Sequence, residues 1–148
     1  MEIEQTLVII KPDAVSRKLV GRIISRFEDK FLDIIKIESR VKNETWMRLF
    51  YPHIYRDNKP LFNDLCNFMV GTLLIGIILE GPDAISMVRK MVGATDSRLS
   101  AVGTIRGDFG SYPVRYNCVH ASDSFESARR EIELFFSGKR NEQQDRSY

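Results

Sequence analysis

Little in this sequence can staple the chain or anchor it. It has two cysteines, Cys66 and Cys118, among 148 residues. They are too few and too far apart for a disulfide framework and form no Cys-x-x-Cys, so they read as reduced core thiols. The longest apolar run, Leu73 to Leu79, has seven residues, against the ~20 that a bilayer-spanning helix needs. Glu2 and Glu4 precede a short apolar strand, unlike a signal peptide, and the expected compartment is the cytoplasm. Net charge is only +2, with 22 basic and 20 acidic residues mostly interspersed, so nothing demands a nucleic-acid or membrane partner. No Gly-x-x-x-x-Gly-Lys-Ser/Thr and no Gly-x-Gly-x-x-Gly is present, which weakens P-loop and dinucleotide readings. There is no internal repeat and no low-complexity segment. Histidine is scarce: His53 and His120 are the two.

What remains is an ordinary globular composition, 43% apolar and 28% charged, long enough for one well-buried domain over 1–148. Thr6 to Ile10 is apolar and β-rich and reads as a central strand. Lys11-Pro12-Asp13 ends it, so Lys11 stands at the strand's C-terminal edge. Leu19 to Lys30 reads as a helix with Ile23, Ile24 and Phe27 inward. Asp33 to Val41 reads as a strand, with Ile35, Ile37, Ser39 and Val41 on a buried face and Lys36, Glu38 and Arg40 on a wetter one. Asn43 is expected to cap a short helix through Phe50. Residues 51–60 read as turns, and Phe62 to Met69 as a helix. Leu73 to Leu79 is a central strand. A helix opens at Gly81-Pro82-Asp83, with Pro82 near its first position, and runs to about Met91. From Ala94 to Tyr116 no periodicity is visible, and a loop of that length is often functional. Cys118 and Val119 belong to a short fourth strand. Asp123 with Glu126 forms a capping box for a last helix to about Phe136, with Phe125, Ala128, Ile132 and Phe135 inward. Residues 137–148 form a polar tail. The order β-α-β-(α-α)-β-α-β-α predicts a ferredoxin-like α/β sandwich: a four-stranded antiparallel sheet covered by helices.

Two dense stretches draw the eye within this frame. One is Asn117-Cys118-Val119-His120-Ala121-Ser122-Asp123-Ser124, which sets His120 at the end of an apolar strand and just before a helix start. The other is Gly103-Thr104-Ile105-Arg106-Gly107-Asp108-Phe109. An imidazole beside a helix N-terminus, in a chain that also offers arginines and a lysine, points to a nucleophile for phosphoryl transfer.

These stretches, with Ile10-Lys11-Pro12-Asp13-Ala14-Val15, Val20-Gly21, Glu80-Gly81 and the helix residues Glu126-Ser127-Ala128 and Glu131-Ile132, resemble the nucleoside diphosphate kinase family from residue 5 to about 136. The resemblance implies a histidine that takes the γ-phosphoryl group of a nucleoside triphosphate and passes it to a nucleoside diphosphate, in ping-pong order. His120 matches that residue. Glu131 matches the carboxylate that orients the imidazole, with Ser122 helping. Lys11 matches the lysine near the ribose 3′-hydroxyl and the phosphates. Arg89, Arg106 and Thr95 match the phosphate ligands, and Asn117 the ribose ligand. Mg²⁺ would ride on the nucleotide phosphates, with no protein metal cage. ATP, GTP and deoxynucleoside diphosphates would all serve, with broad base tolerance. The family forms homo-oligomers, commonly hexamers built from dimers.

The chain departs from the family pattern at several points. Leu61 stands where an aromatic usually stacks on the base, so base preference is expected to weaken or change. The tyrosine usual near the active histidine has two candidates for its place, His53 by alignment and Tyr51 two residues earlier. Val102 replaces a proline before Gly103, and Gly71-Thr72-Leu73 replaces the usual Ser-Gly-Pro. One extra residue lies between Phe109 and Asn117, where Tyr112, Pro113 or Val114 can supply the other face of a base slot. Asp108 reads as a structural partner for a nearby base, Arg129-Arg130 as a solvated face, and Trp46 as a packing residue. Two rival readings stand beside this one: a ferredoxin-like nucleic-acid module, disfavoured by the absence of a basic stripe interleaved with aromatics, and a catalytically silent scaffold, disfavoured by the complete set of phosphate-handling residues.

Overall fold

The computed structural model describes residues 2–138, so most of the polar tail expected at 137–148 lies outside the described residues. The chain runs β1 (Ile3–Ile10), α1 (Pro12–Ser16), α2 (Val20–Glu28), β2 (Asp33–Val41), α3 (Glu44–Phe50), α4 (Pro52–Asp57), α5 (Lys59–Met69), β3 (Leu73–Pro82), α6 (Ala84–Val92), α7 (Ile105–Phe109), β4 (Val119–Ala121) and α8 (Phe125–Phe136). The four strands form one antiparallel sheet in the order β2-β3-β1-β4. This is the ferredoxin-like arrangement.

Alternation along β1 builds the core on both faces of the sheet. Val8 and Ile10 join Ile23 and Phe27 of α2 and Val88 of α6 on one side. Leu7 and Ile9 join Met47, Phe50, Phe62 and Phe135 on the other. A strand with two buried faces reads as an unbroken apolar run, which is how β1 and β3 appear in the sequence. Each fully buried side chain of this size is worth ~1.5–3 kcal/mol of transfer energy. Gly76 of β3 lets the Phe135 ring lie flat on the sheet, because a Cβ there would fall 2.1 Å from the ring.

Several local expectations are corrected. A bulge between Ile34 and Lys36 shifts the register of β2. Ile35, Ile37, Ser39 and Val41 are all exposed, and Arg40 is the buried residue. Arg40 can turn inward because Glu38 and the carbonyls of Phe136 and Gly138 accept its guanidinium N–H groups. Residues 51–60 are helical rather than turns: Pro52 and Pro60 sit in the first turns of α4 and α5, where the missing N–H costs nothing. Pro82 closes β3 opposite Ile3. Asp83, at φ 51°, makes the corner into α6, and Glu4 of β1 caps that helix through the Ile85 amide. Ser124, not Asp123, caps α8, and Phe125 points outward. The expected fourth strand starts one residue late, at Val119. The segment 94–116 is not structureless. It carries a 3-10 turn at Ser97–Leu99, α7 capped by Thr104, and a second 3-10 turn at Val114–Tyr116. Asp108 anchors it by accepting from the Gly103 amide and from Arg26 at 2.6 Å. Asn43 caps α3, and Trp46 stacks on Phe50.

Candidate active site

β4 is a short strand that, among the described residues, pairs with β1 alone, through Val8–Ala121, Ile9–His120 and Ile10–Val119. Its alternation sends Val119 and Ala121 into the core beneath α6 and turns His120 to the other face. There the imidazole packs edge-on against Phe50, with ring centroids 4.9 Å apart, and against Tyr51 at 6.1 Å. The approach to β4 is fixed by Cys118, at φ 72°. Its amide donates to Asp13 Oδ2 and its carbonyl accepts the Lys11 amide. Burial, reinforced by Asp13, pushes the Cys118 thiol up to about 11, so it is a neutral packing group.

Ala128, Glu131 and Phe135 share the inward stripe of α8. That stripe brings the Glu131 carboxylate beneath the imidazole. His120 Nε2 lies 2.8 Å from Glu131 Oε1, and the fully buried Ser122 hydroxyl donates to the same oxygen at 2.7 Å. A carboxylate only accepts, so Nε2 carries the proton in this contact and the ring's lone pair is on Nδ1. Nδ1 makes no hydrogen bond among the described residues. Burial, with the Glu131 charge adding to it, holds the Tyr51 phenol well above its usual range, so the hydroxyl stays protonated.

The cations converge from three elements. Lys11, at the end of β1, is buried and donates to Asn117 Oδ1 at 3.0 Å, while Asn117 Nδ2 donates to the Thr95 carbonyl. Burial lowers the Lys11 ammonium to about 8; Arg106 adds to the effect and Asp13 opposes it. Arg106, in the first turn of α7, donates to the carbonyls of Asn117, Gly93 and Val119. Burial, then the Arg89 charge, lowers it to about 10. Arg89 of α6 reaches the Ala121 carbonyl at 3.4 Å.

A cleft of about 470 Å³ opens over this group. Lys11, Leu61, Arg89, Thr95, Arg106, Asn117, His120 and Glu131 all line it. Ser122 sits behind, touching the cleft only through Glu131. Apolar walls come from Leu61 and Leu65 on α5 and from Tyr112, Pro113 and Val114 on the loop before β4. Tyr51 takes the place beside His120; His53 points out to Arg56. Sequence reasoning missed Asp64, Arg115 and Asp123, which also line the cleft. Asp64 had a faint signal, lying three residues after Leu61 on one helix face. Asp123 carries the sequence signal of a helix cap, which hides a place in the cleft.

A family model described as nucleoside diphosphate kinase matches residues 4–141. The nucleoside diphosphate kinase of Methanosphaera stadtmanae is 46% identical over 133 residues, which span 90% of this chain and 86% of that relative. The crystal structure of the apo enzyme from Encephalitozoon cuniculi superposes with a TM-score of 0.85 at 34% identity, over 93% of this chain and 92% of that one. A transition-state mimic of the Borrelia burgdorferi enzyme, with bound vanadate and ADP, superposes with a TM-score of 0.83 at 32% identity, over 97% and 96% of the two chains. On a fold and a cleft of this kind, the conclusion is plain: the chain belongs to the nucleoside diphosphate kinase family and is a phosphotransferase.

Proposed function

We propose that the cleft moves the γ-phosphoryl group of a nucleoside triphosphate to a nucleoside diphosphate through a covalent intermediate on His120. The observation that carries this reading is the Nε2–Glu131 contact, which leaves Nδ1, among the described residues, as the ring nitrogen without a hydrogen bond on a residue lining the cleft. The Nδ1 lone pair attacks the γ-phosphorus. An N–P bond forms, the bond from phosphorus to the bridging oxygen breaks, and the nucleoside diphosphate leaves with that electron pair. Glu131 stabilises the charge that develops on the ring and holds its orientation; Ser122 fixes the carboxylate. The second diphosphate then attacks the same phosphorus, the N–P bond breaks, and the pair returns to Nδ1. No net proton moves.

Lys11, Arg89 and Arg106 offset the charge of the phosphates. Arg106 has five N–H donors; among the described residues three are engaged by carbonyls, which leaves two for phosphate oxygens. Thr95 adds a hydroxyl there. Asn117 and Lys11 take the ribose hydroxyls. Leu61 and the 112–114 segment cover the base from two sides, and a contact of that kind tolerates many bases.

Mg²⁺ is the cofactor in this reading. The phosphate end of the cleft is cationic, and in this reading the ion would be carried by the nucleotide phosphates. Bound there, it would neutralise charge on the transferring group.

The assembly we assign is a hexamer built from dimers. Exposed Ile35, Ile37 and Val41 on the edge strand β2, and exposed Leu99 and Val102 in the 94–116 segment, supply apolar surface for contacts between copies. Among the described residues no helix is long and apolar enough to cross a membrane; we assign the cytoplasm, where free nucleotides are the substrates.

Initial rates with the two nucleotides varied together test the reaction order. Parallel double-reciprocal lines are expected. Intersecting lines would require both nucleotides to be bound at once and would contradict a single site used in turn.

A further inference from the structure

The mouth of the cleft carries a charge pair that phosphoryl transfer does not use. Asp64 lies on α5 three residues after Leu61, and Arg115 directly follows Val114. Both line the cleft. Their approach, Arg115 Nη1 to Asp64 Oδ2, is 3.9 Å, too long for a hydrogen bond. The guanidinium lies over the Tyr116 ring at 5.0 Å, and that ring packs edge-on against Phe68 of α5 at 5.6 Å. Arg115 is therefore aimed by a ring and a distant carboxylate. None of its N–H donors is hydrogen-bonded among the described residues. The contrast with its neighbours is sharp. Arg106 donates to three carbonyls, and Arg98 grips Asp96 through two of its nitrogens. The Arg115 side chain is 36% exposed and Asp64 66%, so the cation is the more sheltered member and meets a ligand in the drier setting.

Unengaged donors beside a base slot select by acceptor chemistry. Guanine, hypoxanthine, uracil, thymine and cytosine each carry a ring carbonyl oxygen. Adenine carries none and presents an exocyclic amino group instead. A guanidinium rewards the carbonyl with a charge-assisted hydrogen bond and offers the amino group nothing.

We propose that Arg115 is a specificity-determining residue of the base site: it donates to a carbonyl oxygen of the bound base and favours such bases over adenine, while Asp64 positions it. This rests on the kinase reading above.

The test compares IDP and ADP as phosphoryl acceptors with one common donor. The two bases have the same ring size and differ at the C6 carbonyl or amino group and the adjoining N1. The ratio of their kcat/KM values is measured for the wild type and for Arg115→Met, Arg115→Lys and Asp64→Asn. Methionine keeps length and removes every donor; lysine keeps a charged donor. The wild type is expected to favour IDP. Arg115→Met should lower the IDP/ADP ratio about fivefold, the scale of one half-exposed charge-assisted hydrogen bond. Arg115→Lys should restore part of it, and Asp64→Asn should lower it by a smaller factor. Turnover of ADP by the methionine variant shows that it is folded. A ratio unchanged in Arg115→Met, or an equal loss for both nucleotides, would overturn the assignment of Arg115 and leave the kinase reading intact. A wild type that phosphorylates neither acceptor would overturn the kinase reading and this one with it.

Discussion

Lys11 is a cation held where a cation is costly. Burial lowers its ammonium to about 8 from the usual 10.5. The sign of the consequence is fixed: below about pH 8 the free enzyme presents the charge, and above it the charge is lost. Bound phosphates favour the protonated form and raise the value again. We therefore expect kcat/KM, which reports the free enzyme, to fall as pH rises through about 8, with the matching limb of kcat displaced upward. Lys11→Arg should flatten that limb, since a guanidinium stays charged. A wild-type kcat/KM that is level across this range would contradict the role given to Lys11. Lys11, Arg106 and His120 were legible because each stands in a motif at the end of an apolar strand or just inside a capped helix. The choice between Tyr51 and His53 was not. It turns on the interruption of the helix at Tyr51, between α3 and α4, which sets Tyr51 inward and His53 outward. Asp64 and Arg115 were invisible for a related reason. Each alone is an ordinary surface charge, and only the approach of α5 to the loop before β4 pairs them.

Elements were easiest to read where two faces are buried or where a cap is local. β1, β3 and the Asn43 cap belong here. Period-two patterning in β2 holds only beyond the bulge at Ile34–Lys36, and it could not say which of the two faces packs. The apolar face is the open one, because carbonyls at the end of α8 and the Glu38 carboxylate satisfy Arg40 on the inner side. Prolines misled at 52 and 60, where they begin helices rather than interrupt the chain. The 94–116 segment gave no period because its turns are held by side chains such as Thr104 and Asp108 rather than by an amphipathic stripe. One glycine carries a prediction at this scale. A methyl group at Gly76 collides with Phe135, itself wedged against Trp46 and Phe136. Gly76→Ala is expected to destabilise the fold by about 1–3 kcal/mol, read as a lower denaturant midpoint. Adding Phe135→Leu should recover part of the loss. An unchanged midpoint in Gly76→Ala would show that the packing of α8 on β3 is looser than described.

At the scale of the molecule, the sheet separates two tasks. Its β4 edge, with α8 and the loop before β4, builds the cleft, while the opposite edge, β2, leaves an apolar face open. A charge on that open face is expected to disturb assembly. Sedimentation of Ile37→Lys should show smaller species than the wild type, and a wild type that sediments as a monomer would contradict the hexamer. The central claim concerns the other edge, that His120 itself carries the phosphoryl group. Intact-mass measurement after mixing the protein with ATP and Mg²⁺, beside His120→Ala, tests it most directly. The account predicts an acid-labile gain of one phosphoryl group in the wild type, no gain in the variant, and discharge of the group by added nucleoside diphosphate. An equal gain in the variant would move the nucleophile elsewhere, and no gain in a wild type that still binds nucleotide would contradict covalent transfer.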